Sequence, residues 1–228
     1  MLKVNSIFES ISGEAGGFAQ GTWCTFIRLQ GCNLNCEWCD TQYARDPANG
    51  LYTEMSIEDI IKKIKHPASA KILVTGGEPL YQQETIDLIN QLILHGCKVQ
   101  VETNGTIRLP QISGVHWVVD CKPPSSGMCY ADAIQTAFNL MAICSNNWSL
   151  DPAANQVYLK FVVQDMVDLD FALKVMTELV YLRFMVPFIL SPIDGSGKLL
   201  DEILKAVPED IKNYLIFSVQ LHKIFKLP

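Results

Sequence analysis

Short apolar runs and longer amphipathic stretches alternate along the chain. The runs Thr25–Leu29, Lys71–Thr75, Lys98–Glu102, His116–Asp120, Val157–Val163, Pro187–Leu190 and Ile216–Val219 have the length and composition of buried strands. Between them, Ser56–Lys65, Tyr81–His95, Ala131–Ser145, Val167–Leu179 and Lys198–Ala206 repeat apolar residues at three-to-four spacing, which predicts helices with one buried face. Ser56 is placed to cap the first, with Glu58 and Asp59 in its opening turn. The repeated order predicts an α/β fold, a parallel sheet covered by helices and either open or curled into a barrel. No repeat, low-complexity tract or linker interrupts it, so residues 1–228 read as a single domain.

In such folds the working residues sit where strands end and loops begin. The polar punctuation falls there. Cys32–Thr41 follows the first run, Gly76-Gly77-Glu78-Pro79 the second and Thr103-Asn104-Gly105 the third. Lys122–Gly127 follows the fourth, and Ser191–Gly195 a later one. Parallel strands would bring all of these to one rim.

Composition narrows the function classes. With 228 residues, 49% hydrophobic and 18% charged, the chain has enough apolar material for a sizeable core. Its net charge is −6, and the densest positive cluster, Lys62-Lys63 with Lys65, lies on a solvated helix face, so no nucleic-acid footprint is present. No apolar run approaches the ~20 residues that span a bilayer, and Met1–Ser6 lacks a signal peptide's apolar core. A cytoplasmic location away from membranes is expected, where eight cysteines read as metal-binding or catalytic thiols before disulfides.

Cys32, Cys36 and Cys39 stand at C-x3-C-x2-C spacing. Three close thiols without an obvious fourth suit an iron–sulfur cluster that keeps one iron open. The alternative is a structural zinc site completed from afar, although the second C-x2-C half-site usual in zinc modules does not occur. Gly76 and Gly77 would let backbone approach a ligand, and Glu78 could accept hydrogen bonds from an ammonium group. Alone, the segment reads equally as a tight turn with Pro79 opening a helix. Arg28 lies in an apolar run, where a charge is costly unless paired; an internal partner such as Glu14 is one solution. Cys24, Cys97, Cys121, Cys129 and Cys144 read as small buried hydrophobes, and Phe161, Phe184, Phe188 and Phe217 as core.

The cysteine triplet followed by Gly76-Gly77-Glu78-Pro79 resembles the radical S-adenosylmethionine (SAM) superfamily. Phe8–Glu14, Phe26–Gly31, Asp40-Thr41, Glu102–Thr106 and Gln220-Leu221-His222-Lys223 ending at Pro228 resemble, more narrowly, the 7-carboxy-7-deazaguanine synthase family. The likeness runs from about Phe8 to Pro228, with no family motif over Met128–Gln156. It implies a partial or modified (β/α)6 barrel, with a cluster loop at 31–41 and a tail at 220–228 completing the substrate pocket. It implies a [4Fe–4S] cluster on Cys32, Cys36 and Cys39, and Mg2+ at Thr41. SAM would be bound by Trp38, Asp40, Gly76, Gly77, Glu78, Asp120, Cys121, Lys122, Ser191, Pro192, Ile193 and Asp194. The substrate would meet Ile11, Ser12, Gly13, Glu14, Arg28, Thr75, His222 and the carboxylate of Pro228, with Arg28 taking its carboxylate in a bidentate manner.

The reaction so implied converts 6-carboxy-5,6,7,8-tetrahydropterin to 7-carboxy-7-deazaguanine with loss of ammonia, begun by hydrogen abstraction at C6 by a 5′-deoxyadenosyl radical. An electron donor such as flavodoxin or ferredoxin and a homodimer come with the resemblance. Ser12 and Ser191 stand where many relatives carry Gln, which puts their hydrogen bonds in question. Two other readings share the cysteines: an activating enzyme for a glycyl-radical protein, and a non-catalytic zinc or iron–sulfur module.

Overall fold

The computed structural model describes residues 1–48, 50–128, 136, 156–184, 186–193 and 197–227. Its first element is absent from the apolar runs. β1 (Leu2–Ile11) buries Leu2 and Val4 but also carries Lys3, Asn5, Ser6 and Glu9, and this mixed composition hides it from a search for apolar strands. It pairs antiparallel with β2 (Trp23–Leu29) on one side and β3 (Thr53–Met55) on the other. From β2 onward the sheet is parallel, through β4 (Lys71–Gly76), β5 (Lys98–Thr103), β6 (Val115–Asp120) and β7 (Gln156–Val163) to β8 (Phe188–Pro192) and β9 (Leu215–Phe217). The order is β3-β1-β2-β4-β5-β6-β7-β8-β9. The sheet does not close, so the expected parallel body is a partial barrel with an antiparallel edge added at the start of the chain.

The helices among the described residues are α1 (Ile57–Lys62), α2 (Thr85–Leu94), α3 (Met166–Tyr181), α4 (Gly197–Ala206), α5 (Glu209–Lys212) and α6 (Leu221–Phe225). Ser56 caps α1 as expected, its hydroxyl accepting from Asp59 N. Helix was expected from Tyr81, but α2 begins at Thr85. Glu78 caps a separate 3-10 turn over Pro79–Tyr81. Gln82 is then held extended while its side chain bridges Lys3 and Gln30. The expected helix Ala131–Ser145 lies outside the described residues apart from Thr136, as do Cys129 and Cys144. No described helix is long and apolar enough to cross a membrane.

Alternation along the strands gives the sheet two unlike faces. Ile27, Leu29, Val74, Val101, Trp117, Val119, Leu159, Phe161 and Leu190 share one core with Leu88 and Leu92 of α2 and Leu169, Val175 and Met176 of α3. Phe188 belongs to that core and Phe184 packs against it, but Phe217 is 37% exposed because β9 is the sheet's short last strand. The opposite face carries Phe26, Arg28, Thr75, Glu102, Val118, Asp120 and Lys160, all lining one cavity.

Candidate active site

That cavity, of about 420 Å3, is closed by the loops following β2, β4, β5 and β6. The loops meet because two backbones cross in contact. A Cβ added at Gly76 (φ +146) would stand 2.1 Å from Leu29 O, and one at Gly77 would stand 2.3 Å from Gly31 O. Gly77 N donates to Leu29 O at 3.1 Å and Glu78 N to Gly31 O at 2.8 Å. Only glycine fits a crossing this close. It fixes the start of the cysteine loop against the end of β4.

Cys32, Cys36 and Cys39 all face the cavity. The loop is anchored at its start by Cys32 N donating to Arg45 O, and at its flank by Asn33 Nδ2 donating to Thr106 Oγ1 at 2.7 Å. Burial pushes the Cys32 and Cys36 thiols above their ordinary 9.0, with Lys122 acting in the opposite sense. Thiols in such surroundings stay protonated and make poor nucleophiles, whereas a bound metal removes the proton outright. No three His, Cys, Asp or Glu among the described residues gather tightly enough for a single ion.

Below the cysteines lies a layer of buried charge. Lys160 is 7% exposed, bonds Glu14 directly and lies 4.0 Å from Asp120 Oδ2, which also receives Lys122 Nζ at 2.7 Å. Gln220 Nε2 donates to the other Glu14 oxygen at 2.7 Å. Burial would raise the Glu14 carboxyl, but Lys160 and Gln220 together hold it below its ordinary 4.5. Glu102 moves the other way, raised by burial and by the charges of Glu14 and Asp120 against the pull of Lys160. Asp120 Oδ1 and Gln220 Oε1 are buried without a partner among the described residues. Unpaired buried acceptors are costly, and two in one cavity suit a ligand that brings N–H or O–H donors.

At the mouth, the Arg28 guanidinium lies 5.1 Å from the Phe8 ring centroid and 5.5 Å from that of Tyr43, and donates to the Tyr43 hydroxyl. Glu14, one internal partner open to Arg28, is taken by Lys160 instead, and among the described residues most of Arg28's donors remain for a ligand. Thr75 lies opposite Arg28 in the β2–β4 register. His222 Nε2 lies 3.4 Å from Asp40 Oδ2, and its ring fills the space where a Cβ on Gly13 would stand, 2.8 Å from Nδ1. Burial acts to raise the Asp40 carboxyl, but hydrogen bonds from His222 and Thr41 hold it well below the usual range. Thr41 Oγ1 donates to Asp40 Oδ1 at 2.9 Å.

Ile11, Gly13, Glu14, Arg28, Trp38, Asp40, Thr41, Thr75, Gly76, Gly77, Asp120, Lys122 and His222 thus line the cavity with the three cysteines. Other expected residues do not. Glu78 is fully buried and its carboxylate accepts from Leu80 N, Thr103 Oγ1 and Asn104 N at 2.7–2.9 Å. It ties the β4 loop to the end of β5 and leaves the glycine backbone to face the cavity. Ser12 is fully buried, its hydroxyl closing a turn onto Glu14 O. Cys121 points into the helix-side core, because it alternates with Asp120. Ser191, Pro192 and Ile193 at the end of β8 stand off the cavity wall. Asp194 and Pro228 lie outside the described residues. Cys24, Cys97 and Cys121 are buried, as expected of small hydrophobes.

Sequence reasoning missed Lys160 and Gln220 as site residues and gave Glu102 no role. Lys160 and Glu102 carried the signal used for Arg28, a charge within an apolar run. Gln220 opens a family-like motif in the tail but had no role of its own there, because its importance comes from Glu14, a partner 206 positions away.

Comparison with known proteins adds the following. Residues 26–112 match the family model described as the radical SAM superfamily. The 7-carboxy-7-deazaguanine synthase of Clostridium acetobutylicum is 32% identical over 99% of this chain and 96% of its own length. The synthase of the same name from Methanospirillum hungatei is 32% identical over 100% of this chain and 86% of its own. The crystal structure of QueE from Escherichia coli has the same fold, with a TM-score of 0.65, 22% identity, and coverage of 96% of this chain and 93% of that one.

Proposed function

This chain belongs to the 7-carboxy-7-deazaguanine synthase family of radical SAM enzymes, and from that membership we propose that it converts 6-carboxy-5,6,7,8-tetrahydropterin to 7-carboxy-7-deazaguanine with loss of ammonia. A [4Fe–4S] cluster and SAM are the cofactors of that superfamily. The residues present fit them: among the described residues three thiols and no fourth face the cavity, beside the buried Asp120 Oδ1, which has no partner among those residues. When bound, the pair would supply radical chemistry for hydrogen abstraction from the substrate.

The protein's share is binding and orientation. Cys32, Cys36 and Cys39 hold the cluster. Trp38, Lys122, Asp120 and the Gly76–Gly77 backbone form the wall for SAM. Arg28, preset between Phe8 and Tyr43, takes the substrate carboxylate. Thr41 and Asp40 offer the oxygen ligands that Mg2+ prefers. Gln220 Oε1 and the C-terminal carboxylate accept the pterin's N–H donors. Glu102 lines the same cavity, with burial pushing its carboxyl above the ordinary glutamate value, and is a candidate proton donor to the departing nitrogen. The chain works as one domain, in the cytoplasm, as a homodimer, and takes its electron from a small redox protein such as flavodoxin or ferredoxin.

The observation that carries this reading is the joining of the three thiols and Arg28 in one cavity. Anaerobically reconstituted protein given SAM, Mg2+, a reductant and the carboxytetrahydropterin should form the deazaguanine. Turnover of SAM without that product would overturn the substrate assignment.

A further inference from the structure

One buried acid lies outside every group named so far. Asp168, in the first turn of α3, is fully buried. It is not the cap of that helix, since Asp165 already accepts from Val167 N and Asp168 N at 2.9 and 3.0 Å. Its carboxylate instead accepts from Ser125 N at 3.1 Å, Ser125 Oγ at 2.5 Å and Gln164 N at 2.9 Å. Ser125 Oγ in turn accepts from Trp38 Nε1 at 2.9 Å. The direction of this chain is fixed by chemistry. An indole nitrogen only donates and a carboxylate only accepts, so the serine proton must point to Asp168 and its lone pair to Trp38. Such chains strengthen each member.

Trp38 stands between Cys36 and Cys39, in a loop without regular secondary structure, and faces the cavity. Its ring is gripped a second time by Lys122, whose Nζ lies 5.0 Å from the centroid and is itself paired with Asp120. The loop's aromatic wall is therefore referenced to α3 and to the 3-10 turn Pro124–Ser126, two ordered elements outside it. We infer that Ser125 and Asp168 are positioning residues that set the plane of Trp38 for SAM. This role rests on the SAM-binding reading of the cavity.

The test uses cluster-loaded protein and measures SAM affinity with iron and sulfide content as controls. Ser125→Ala, which strips the indole of its acceptor, should weaken SAM binding about tenfold with iron and sulfide per chain unchanged. Asp168→Asn should act in the same direction. Trp38→Phe keeps a ring but no N–H, so Ser125→Ala should add less than about twofold in that background. Parent-like SAM affinity in Ser125→Ala, or an equal further loss in the Trp38→Phe background, would overturn the role and leave the cofactor reading intact. A merely structural serine would lower the thermal midpoint equally in both backgrounds without moving SAM affinity. Failure of the loaded parent protein to bind SAM would instead sink the cofactor reading and this role with it.

Discussion

A lysine flanked in its strand by Leu159 and Phe161 is tolerated only because acids surround it. Lys160 meets Glu14 from the loop after β1 and Asp120 from β6. Lys160→Met should cost about 3–5 kcal/mol by stranding Glu14, read as a lower denaturation midpoint. The pH dependence has a definite sign. Glu14's carboxyl is held below 4.5 in the fold, so its contribution is full above that value and is lost as pH falls through the depressed one. Without Lys160, Gln220 is left to oppose burial without the lysine's charge, so the Glu14 carboxyl rises from its depressed position and the acid limb of the stability profile should move to higher pH. An acid limb that stays in place would show that the pair does not stabilise the fold. Lys160 carries the same mark in the sequence as Arg28, a charge in an apolar run, although only Arg28 was singled out by it. Their partners were not legible there, because Tyr43 and Glu14 are brought to them by separate loops.

At the scale of elements, the decisive contact is the crossing of β4 over the end of β2. Gly76 has a φ of +146, and its added Cβ would meet Leu29 backbone atoms at 2.1–2.8 Å, which cannot swing aside as a side chain could. Gly76→Ala should cost about 1–3 kcal/mol from conformation alone and displace the cysteine loop. Its expected signature is a lower thermal midpoint with less iron retained per chain after reconstitution. A variant with the parent's midpoint and iron content would show the crossing to be slack. The two glycines announced a close approach in the sequence, but its object differs from the expectation: they meet the neighbouring strand as well as the cavity. Strand β1 was illegible for a related reason. Its polar residues belong to a strand whose partners, β2 and β3, cover only part of its surface, so its sequence lacks the unbroken apolar run of the central strands.

At the scale of the whole molecule, the loop after β1 and the segment 220–227 meet at one cavity. Leu221 N donates to Gly13 O at 2.9 Å, Gln220 reaches Glu14, and Leu227 reaches the cavity after Lys226 turns the backbone with a φ of +52. Deleting Leu227 and Pro228 should therefore weaken carboxytetrahydropterin binding by at least about tenfold, with SAM affinity changed far less. Equal losses for the two ligands would remove the tail from the substrate side. The sequence by itself determined the strand–helix alternation, the three closely spaced thiols and the loops that would carry chemistry, because period and spacing are properties of the covalent chain. Only the tertiary structure decided which way those side chains face. Alternation in a strand turned Asp120 to the cavity and Cys121 to the core, and burial committed the Glu78 carboxylate to bracing the end of β5. The ion pair of Lys160 with Glu14 and the line from Trp38 through Ser125 to Asp168 join residues far apart in the chain. Packing creates those pairs, since each buried charge or donor is affordable only where the fold delivers its partner.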